Sequence, residues 1–155
     1  MKKMQWLIVV IIALTGCSTG KYFLKPQELP QWIVLPRHNY TKVDKLKQIL
    51  GESFQLYSGY QIKKLITQEI SSSDFKQMLL EVFVLSDEVN ARGLYRRYQT
   101  FTPAMVGTES SQGPGCVVFY RKNYFVRLTA KRNLLGKEEC LREVAKIVDT
   151  KLDGK

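Results

Sequence analysis

The sequence predicts an α+β fold: a mainly antiparallel sheet of about five to six strands with about three helices packed on it, in a single layered domain. Three observations lead there. Segments rich in β-branched and aromatic residues come in pairs separated by short turn-forming runs, which implies antiparallel pairing. Other stretches repeat apolar residues at helical spacing. The two kinds of element run as strand, helix, two strands, helix, three strands, helix, without internal repeat or low-complexity segment.

Leu29-Pro30-Gln31-Trp32-Ile33-Val34-Leu35-Pro36 reads as an extended apolar segment bracketed by prolines, which suits a sheet edge or a strand beginning. Thr41 opens the first helix, because Thr41-Lys42-Val43-Asp44 fits a loose capping box. Val43, Leu46, Leu50, Phe54 and Tyr57 share one face of it. Gly51 lies inside and permits a close backbone approach, and Ser58-Gly59 ends the helix with a glycine suited to a left-handed cap. Tyr60 to Ile70 and Phe75 to Leu85 are two strands around the turn Ser71-Ser72-Ser73-Asp74. Ser86 caps the second helix, with Asp87 and Glu88 in its first turn. Its apolar face is Ala91, Leu94, Tyr95 and Tyr98, and Gly93 brings it close to the sheet. Met105 to Ser111 is a further strand, followed by the turn Gln112-Gly113-Pro114-Gly115. Cys116 to Tyr120 and Tyr124 to Ala130 form a tight hairpin around Arg121-Lys122-Asn123. The last helix spans Lys137 to Lys151, with Cys140, Leu141, Val144, Ile147, Val148 and Lys151 near one face. Its acids, Glu138 and Glu139, come early, as the helix dipole favours.

The N-terminus is a different kind of sequence. Lys2 and Lys3 precede an apolar run from Leu7 to Leu14, and Thr15-Gly16-Cys17 follows. A basic start, a short apolar run and small residues at a cleavage point are the parts of a secretory signal peptide. The run is shorter than the roughly 20 residues that cross a bilayer. Leu14-Thr15-Gly16-Cys17 resembles the lipobox of bacterial lipoproteins. That resemblance implies a leader over 1–16 and a diacylglycerol on the Cys17 sulfur. Cleavage then falls before Cys17, and the new amino terminus is acylated. Residues 17–28 are then a lipidated N-terminus and short tether, and 29–155 the domain. Lys21 and Lys25 sit near headgroup level, each adding about 1 kcal/mol at an anionic surface. Ser18 after the cysteine favours the outer membrane, facing the periplasm, if the source is diderm.

The whole chain carries a formal charge of +10, of which the leader lysines account for two. For an exported protein this directs attention to anionic headgroups, envelope polymers or an acidic protein rather than to nucleic acid. With Cys17 consumed by lipid, Cys116 and Cys140 remain as either a disulfide pair or two separate buried thiols. A bond would close a loop of about 25 residues and stabilise by about 3 kcal/mol.

Catalytic patterns are scarce. His38 is the one histidine, and no HxxH, HExxH or CxxC spacing offers a metal or cofactor site. No GxSxG elbow and no Walker ending occurs. Glu69 and Glu81 project from neighbouring predicted strands, the arrangement a paired-carboxylate hydrolase would use. Tyr95, Tyr98, Phe101, Phe119, Tyr120, Tyr124 and Phe125 cluster among arginines, as a core with basic rims or as a stacking surface.

Asn90-Ala91-Arg92-Gly93-Leu94-Tyr95 follows the apolar strand end Val82-Phe83-Val84-Leu85. This resembles the N-A-x-G-[IL]-Y motif of an exported bacterial family of unknown function. Ile49-Leu50-Gly51, Leu56-Tyr57-Ser58-Gly59-Tyr60 and Tyr124-Phe125-Val126-Arg127-Leu128 are similar to its flanking segments, over about Trp32 to Ala130. The likeness implies an α+β fold, an exported location, and structural roles for Asn90, Ala91, Gly93 and Tyr95; it brings no activity. Asn90 is expected to bond backbone at the strand-to-helix turn. Arg92, Arg96 and Arg97 form a basic face directed at an acidic partner or headgroups. The expectation is a non-catalytic envelope lipoprotein that binds a protein or envelope component, with a small-molecule or lipid carrier and a hydrolase as alternatives.

The anchor reading is tested directly. Cys17→Ala should abolish metabolic lipid labelling and leave the precursor uncut or release the domain from membranes; unchanged labelling would overturn it.

Overall fold

The computed structural model describes residues 21, 23–72, 77–100, 102–131 and 138–154. The strands are β1 (Ile33–Val34), β2 (His38–Tyr40), β3 (Ile62–Ser71), β4 (Gln77–Leu85), β5 (Glu109–Gly113), β6 (Cys116–Arg121) and β7 (Tyr124–Ala130). The helices are α1 (Val43–Leu50), α2 (Phe54–Ser58), α3 (Glu88–Tyr98) and α4 (Glu138–Asp153). They form one seven-stranded sheet in the order β1-β3-β4-β7-β6-β5, with β2 beside β1 on the same edge of β3. Each pairing is antiparallel. The α+β class is therefore as expected, with the sheet open rather than a closed barrel.

Both faces of the sheet are covered, and the alternation of strand side chains decides what covers them. Ile66, Ile70, Met78, Leu80, Val82, Val117, Phe119, Val126 and Leu128 face α4, which supplies Leu141, Val144, Ala145 and Val148. Leu65, Phe83, Leu85, Val118, Tyr120 and Phe125 face the other helices, which supply Leu46, Leu50, Tyr57, Ala91, Leu94 and Tyr95. β4 is central and buried on both sides, which explains its largely apolar sequence, broken between its ends only by Glu81. Tyr57 stacks on Phe83 at 4.9 Å between centroids, and Phe83 tilts against Phe125 at 5.6 Å. Aromatic rings thus fill the layer under α2 and α3.

Several elements differ from the sequence expectation. The segment Leu29 to Pro36 contributes only β1, and β2 follows beyond Pro36, which has no N–H to donate to a ladder. The helix expected from Thr41 to Ser58 starts at Val43, capped by Lys42 without a side-chain bond, and breaks at Gly51 into α1, a 3₁₀ turn and α2. Gly51 serves conformation rather than close approach: its φ is 55°, and a Cβ there would meet nothing within 4 Å. Gly59 is right-handed at φ −70°, and Gln61 takes the left-handed geometry instead. Met105 lies in a loop at φ 60° and 84% exposure, and the strand begins only at Glu109. β5 continues to Gly113, leaving Pro114-Gly115 as the turn. Of the serine turn, Ser73 and Asp74 lie outside the described residues.

Asp87, not Ser86, caps α3. Its carboxylate accepts from the Asn90 N–H at 2.8 Å and from the Asn90 side-chain amide, while the Ser86 hydroxyl donates to it. These bonds, the Asn90 N–H first, hold the Asp87 carboxyl below its ordinary value. Asn90 therefore bonds side chains of the turn as well as donating its own backbone N–H, a correction to the expected backbone contact. The end of α4 is fastened by the β6–β7 turn. Arg121 binds Asp149 through two nitrogens at 2.6 and 2.7 Å, and the Lys122 ammonium donates to the Leu152 and Asp153 carbonyls. A cation suits these otherwise orphaned carbonyls.

Cys116 and Cys140 are free thiols. Cys116 packs into the layer under α3 and Cys140 into the layer under α4, so the sheet stands between them. The candidate disulfide is not formed.

Gly93 approaches the Tyr60 ring rather than the sheet: a Cβ there would lie 3.0 Å from Tyr60 Cε1. A methyl needs only a small ring shift, and alanine recovers up to about 1 kcal/mol of helix propensity. Gly93→Ala should accordingly stay within about 1 kcal/mol of the parent, while Gly93→Val loses about 1–3 kcal/mol by overpacking. Thermal melts that rank the two variants equally would contradict this contact.

Candidate functional site

Three polar arrangements stand out against this frame. The first fixes the N-terminal segment. Gln68 lies in β3, 1% exposed, where the chain between β1 and β2 leaves the strand edge. Its carbonyl oxygen accepts from the Leu24 N–H at 2.8 Å, and its amide nitrogen donates to the Leu24 and Leu35 carbonyls at 3.0 and 2.8 Å. The side chain thus acts as a piece of strand edge, satisfying both backbone groups of a fully buried Leu24. Next to it the Arg37 N–H donates to the Lys21 carbonyl at 2.9 Å. Pro26–Glu28 then forms a 3₁₀ turn closed by the Lys25 N–H on the Glu28 carboxylate. Glu28 also pairs with Lys151 at 2.8 Å. Burial acts to raise the Glu28 carboxyl, but the bonds from Lys151 and Lys25 outweigh it and lower it. Residues 23–28, expected as tether, are therefore packed onto the domain.

The second arrangement is the outer side of α3. Arg92 pairs with Glu109 of β5 at 3.3 Å, both side chains well exposed. The Arg97 Nε–H donates to the Tyr60 hydroxyl at 3.0 Å. Arg96 is exposed and makes neither an ion pair nor a hydrogen bond to any described residue. The three arginines predicted to act together are thus unequal. Ala91 and Tyr95 are core, with Tyr95 tilted against Tyr120 at 5.6 Å.

The third is a network where α3 ends over the sheet. Glu81 of β4 and Arg127 of β7 are directly opposite, and the guanidinium grips the carboxylate with two bonds, one of 2.8 Å. Arg127 also lies 5.5 Å from the Tyr98 ring centre, and Tyr98 bonds the Tyr57 hydroxyl. Burial opposes the Arg127 charge, but the Glu81 carboxylate more than offsets it and raises its affinity for the proton. Burial also pushes the Tyr57 hydroxyl and the Cys116 thiol upward. These shifts favour the charged form of Arg127 and the neutral forms of Tyr57 and Cys116.

The other predicted groups do not converge. Glu69 pairs with Lys131 at 2.8 Å, so both carboxylates of the supposed pair are engaged by cations. His38 is exposed on β2 beside the Tyr40 ring. Cys17 lies outside the described residues. Ser110 and Ser111 accept bonds from Val106 and Thr100, tying the loop before β5 against its edge. A surface groove of about 300 Å³ runs between Leu29–Trp32 and Glu143–Ile147 of α4. No family model, curated protein or solved structure matches the chain, so the likeness at Asn90 to Tyr95 rests on those residues alone.

Sequence reasoning missed Gln68 and Arg127. One signal was present: each is a large polar residue at an inward position of an apolar strand, which needs a partner.

Gln68→Leu keeps the volume but leaves the Leu24 N–H and C=O without partners. It should lower stability by about 2–4 kcal/mol and speed tryptic cleavage after Lys21. Unchanged melting and cleavage would show that the clamp does not hold the segment.

Proposed function

We propose that this chain is a lipoprotein of the bacterial cell envelope, acylated at Cys17, that works by binding an acidic partner protein rather than by catalysis. The observation that carries this reading is the placement of tether and basic face on opposite sides of one sheet. Leu24 enters the layer covered by α4, whereas α3 lies on the other face, over β4, β7 and β6. A domain held at Leu24 therefore presents Arg96, flanked by Arg92 and Arg97, away from its attachment. That favours a protein in the aqueous compartment over the headgroups beneath. The engagement of Glu69, Glu81 and Arg127 in ion pairs supports binding over hydrolysis. The ring-filled layer beneath α2 and α3 supports a surface site over an internal carrier pocket. In a diderm source the outer membrane, facing the periplasm, is the home this reading assigns. Membership of the exported N-A-x-G-[IL]-Y family is part of the same proposal.

In-cell crosslinking from α3 tests it. Arg96→Glu should reduce capture of the partner, with a larger effect at low ionic strength, and more than Arg92→Gln does, because Arg92 already has Glu109. Stability should change by no more than about 0.5 kcal/mol. Equal capture by parent and Arg96→Glu, with equal melts, would reduce the face to solvated surface.

A further inference from the structure

We infer that the corner built from residues 21, 23–25 and 33–37 rests against the bilayer that holds Cys17, as a headgroup-contacting surface of the folded domain. The inference rests on the lipid anchor proposed above. Its first support is reach. The Lys21 carbonyl is bonded to the Arg37 N–H, and Leu24 is clamped by Gln68. From Cys17 to Lys21 even a fully extended chain spans at most about 14 Å. The folded corner is therefore confined within about that distance of the acylated residue.

The second support is what this corner exposes. Ile33 is 57% and Leu35 41% exposed, and Pro36 is exposed beside them. Ile33 lies in β1 and Leu35 directly follows it, on either side of the buried Val34. Lys21 and Lys25 are exposed on the neighbouring stretch, joined to Leu35 and Arg37 through Gln68 and the Lys21 carbonyl. The Arg37 Nε–H is buried and has no hydrogen-bond partner among the described residues. Glu69, whose carbonyl accepts from the Leu35 N–H, and Glu28 are engaged by Lys131 and Lys151. Apolar side chains ringed by cations are the composition of a surface that lies on anionic lipid. The bilayer is the occupant because nothing else is obliged to be within this distance of Cys17.

Trp32 makes the proposal measurable. The chain has two tryptophans, and Trp6 lies in the leader, so the processed protein retains only Trp32, next to Ile33. The full chain, processed in bacteria and purified from membranes, is reconstituted in phosphatidylethanolamine–phosphatidylglycerol vesicles, a fraction of whose lipids carry a headgroup nitroxide. Mass spectrometry of the N-terminal peptide reads acylation of Cys17 on the same sample. The expected result is acylated Cys17 with clear loss of Trp32 emission against nitroxide-free vesicles. The double variant Ile33→Asp, Leu35→Asp should recover much of that emission while still floating with the vesicles. Acylated protein that floats with undiminished Trp32 emission overturns the inference and leaves the anchor standing, as does crosslinking of the corner to a protein or a second copy instead of lipid. An unmodified Cys17 overturns both.

Discussion

The pairing of β4 with β7 is the constraint on which the rest depends. It runs in register from Met78 opposite Ala130 to Val84 opposite Tyr124 and joins the β3–β4 hairpin to the β5–β6–β7 meander. The partners are further apart in sequence than those of any other strand pairing, so closing this loop is the least local step in assembling the sheet. Register here has no slack. A slip of β4 by one residue would send Phe83 to the α4 side and Leu80 to the α3 side, misplacing residues of both cores at once. It would also part Glu81 from Arg127, leaving two charges in a setting that tolerates them only together. Polar and apolar demands thus select the same alignment.

That double demand explains what could be read from the sequence and what could not. Strong periodicity survives into structure: α3, α4, the long hairpin and the β6–β7 turn stand within a few residues of where their patterns put them. The elements that moved have weak patterns. Glu109 to Gly113 has no apolar alternation, and it is a strand because β6 and the serine-bonded loop on its other side hold it there. The break at Gly51 is set by tertiary packing, which turns Tyr57 rather than Phe54 into the core. A cap is ambiguous where Ser86 and Asp87 adjoin, and three-dimensional geometry settles it in favour of the carboxylate. The unequal partnering of Arg92, Arg96 and Arg97 depends on Glu109 and Tyr60, neither of which is close in sequence.

Gln68 shows how one side chain changes a functional description. Composition alone made residues 18–28 a tether. An amide that mimics a strand edge packs residues 23–28 onto the domain. In the proposed lipoprotein the slack between the acylated residue and the folded body then shrinks to a few residues, and the orientation of the domain to its membrane follows from the fold.

The position of the two free thiols has a consequence for the proposed exported location, where oxidants are present. Cys116 and Cys140 belong to layers divided by the sheet, and a disulfide requires its two Cα atoms within about 7 Å. In the folded chain the two thiols pack among different neighbours, and a Cys116–Cys140 bond would report a departure from that packing.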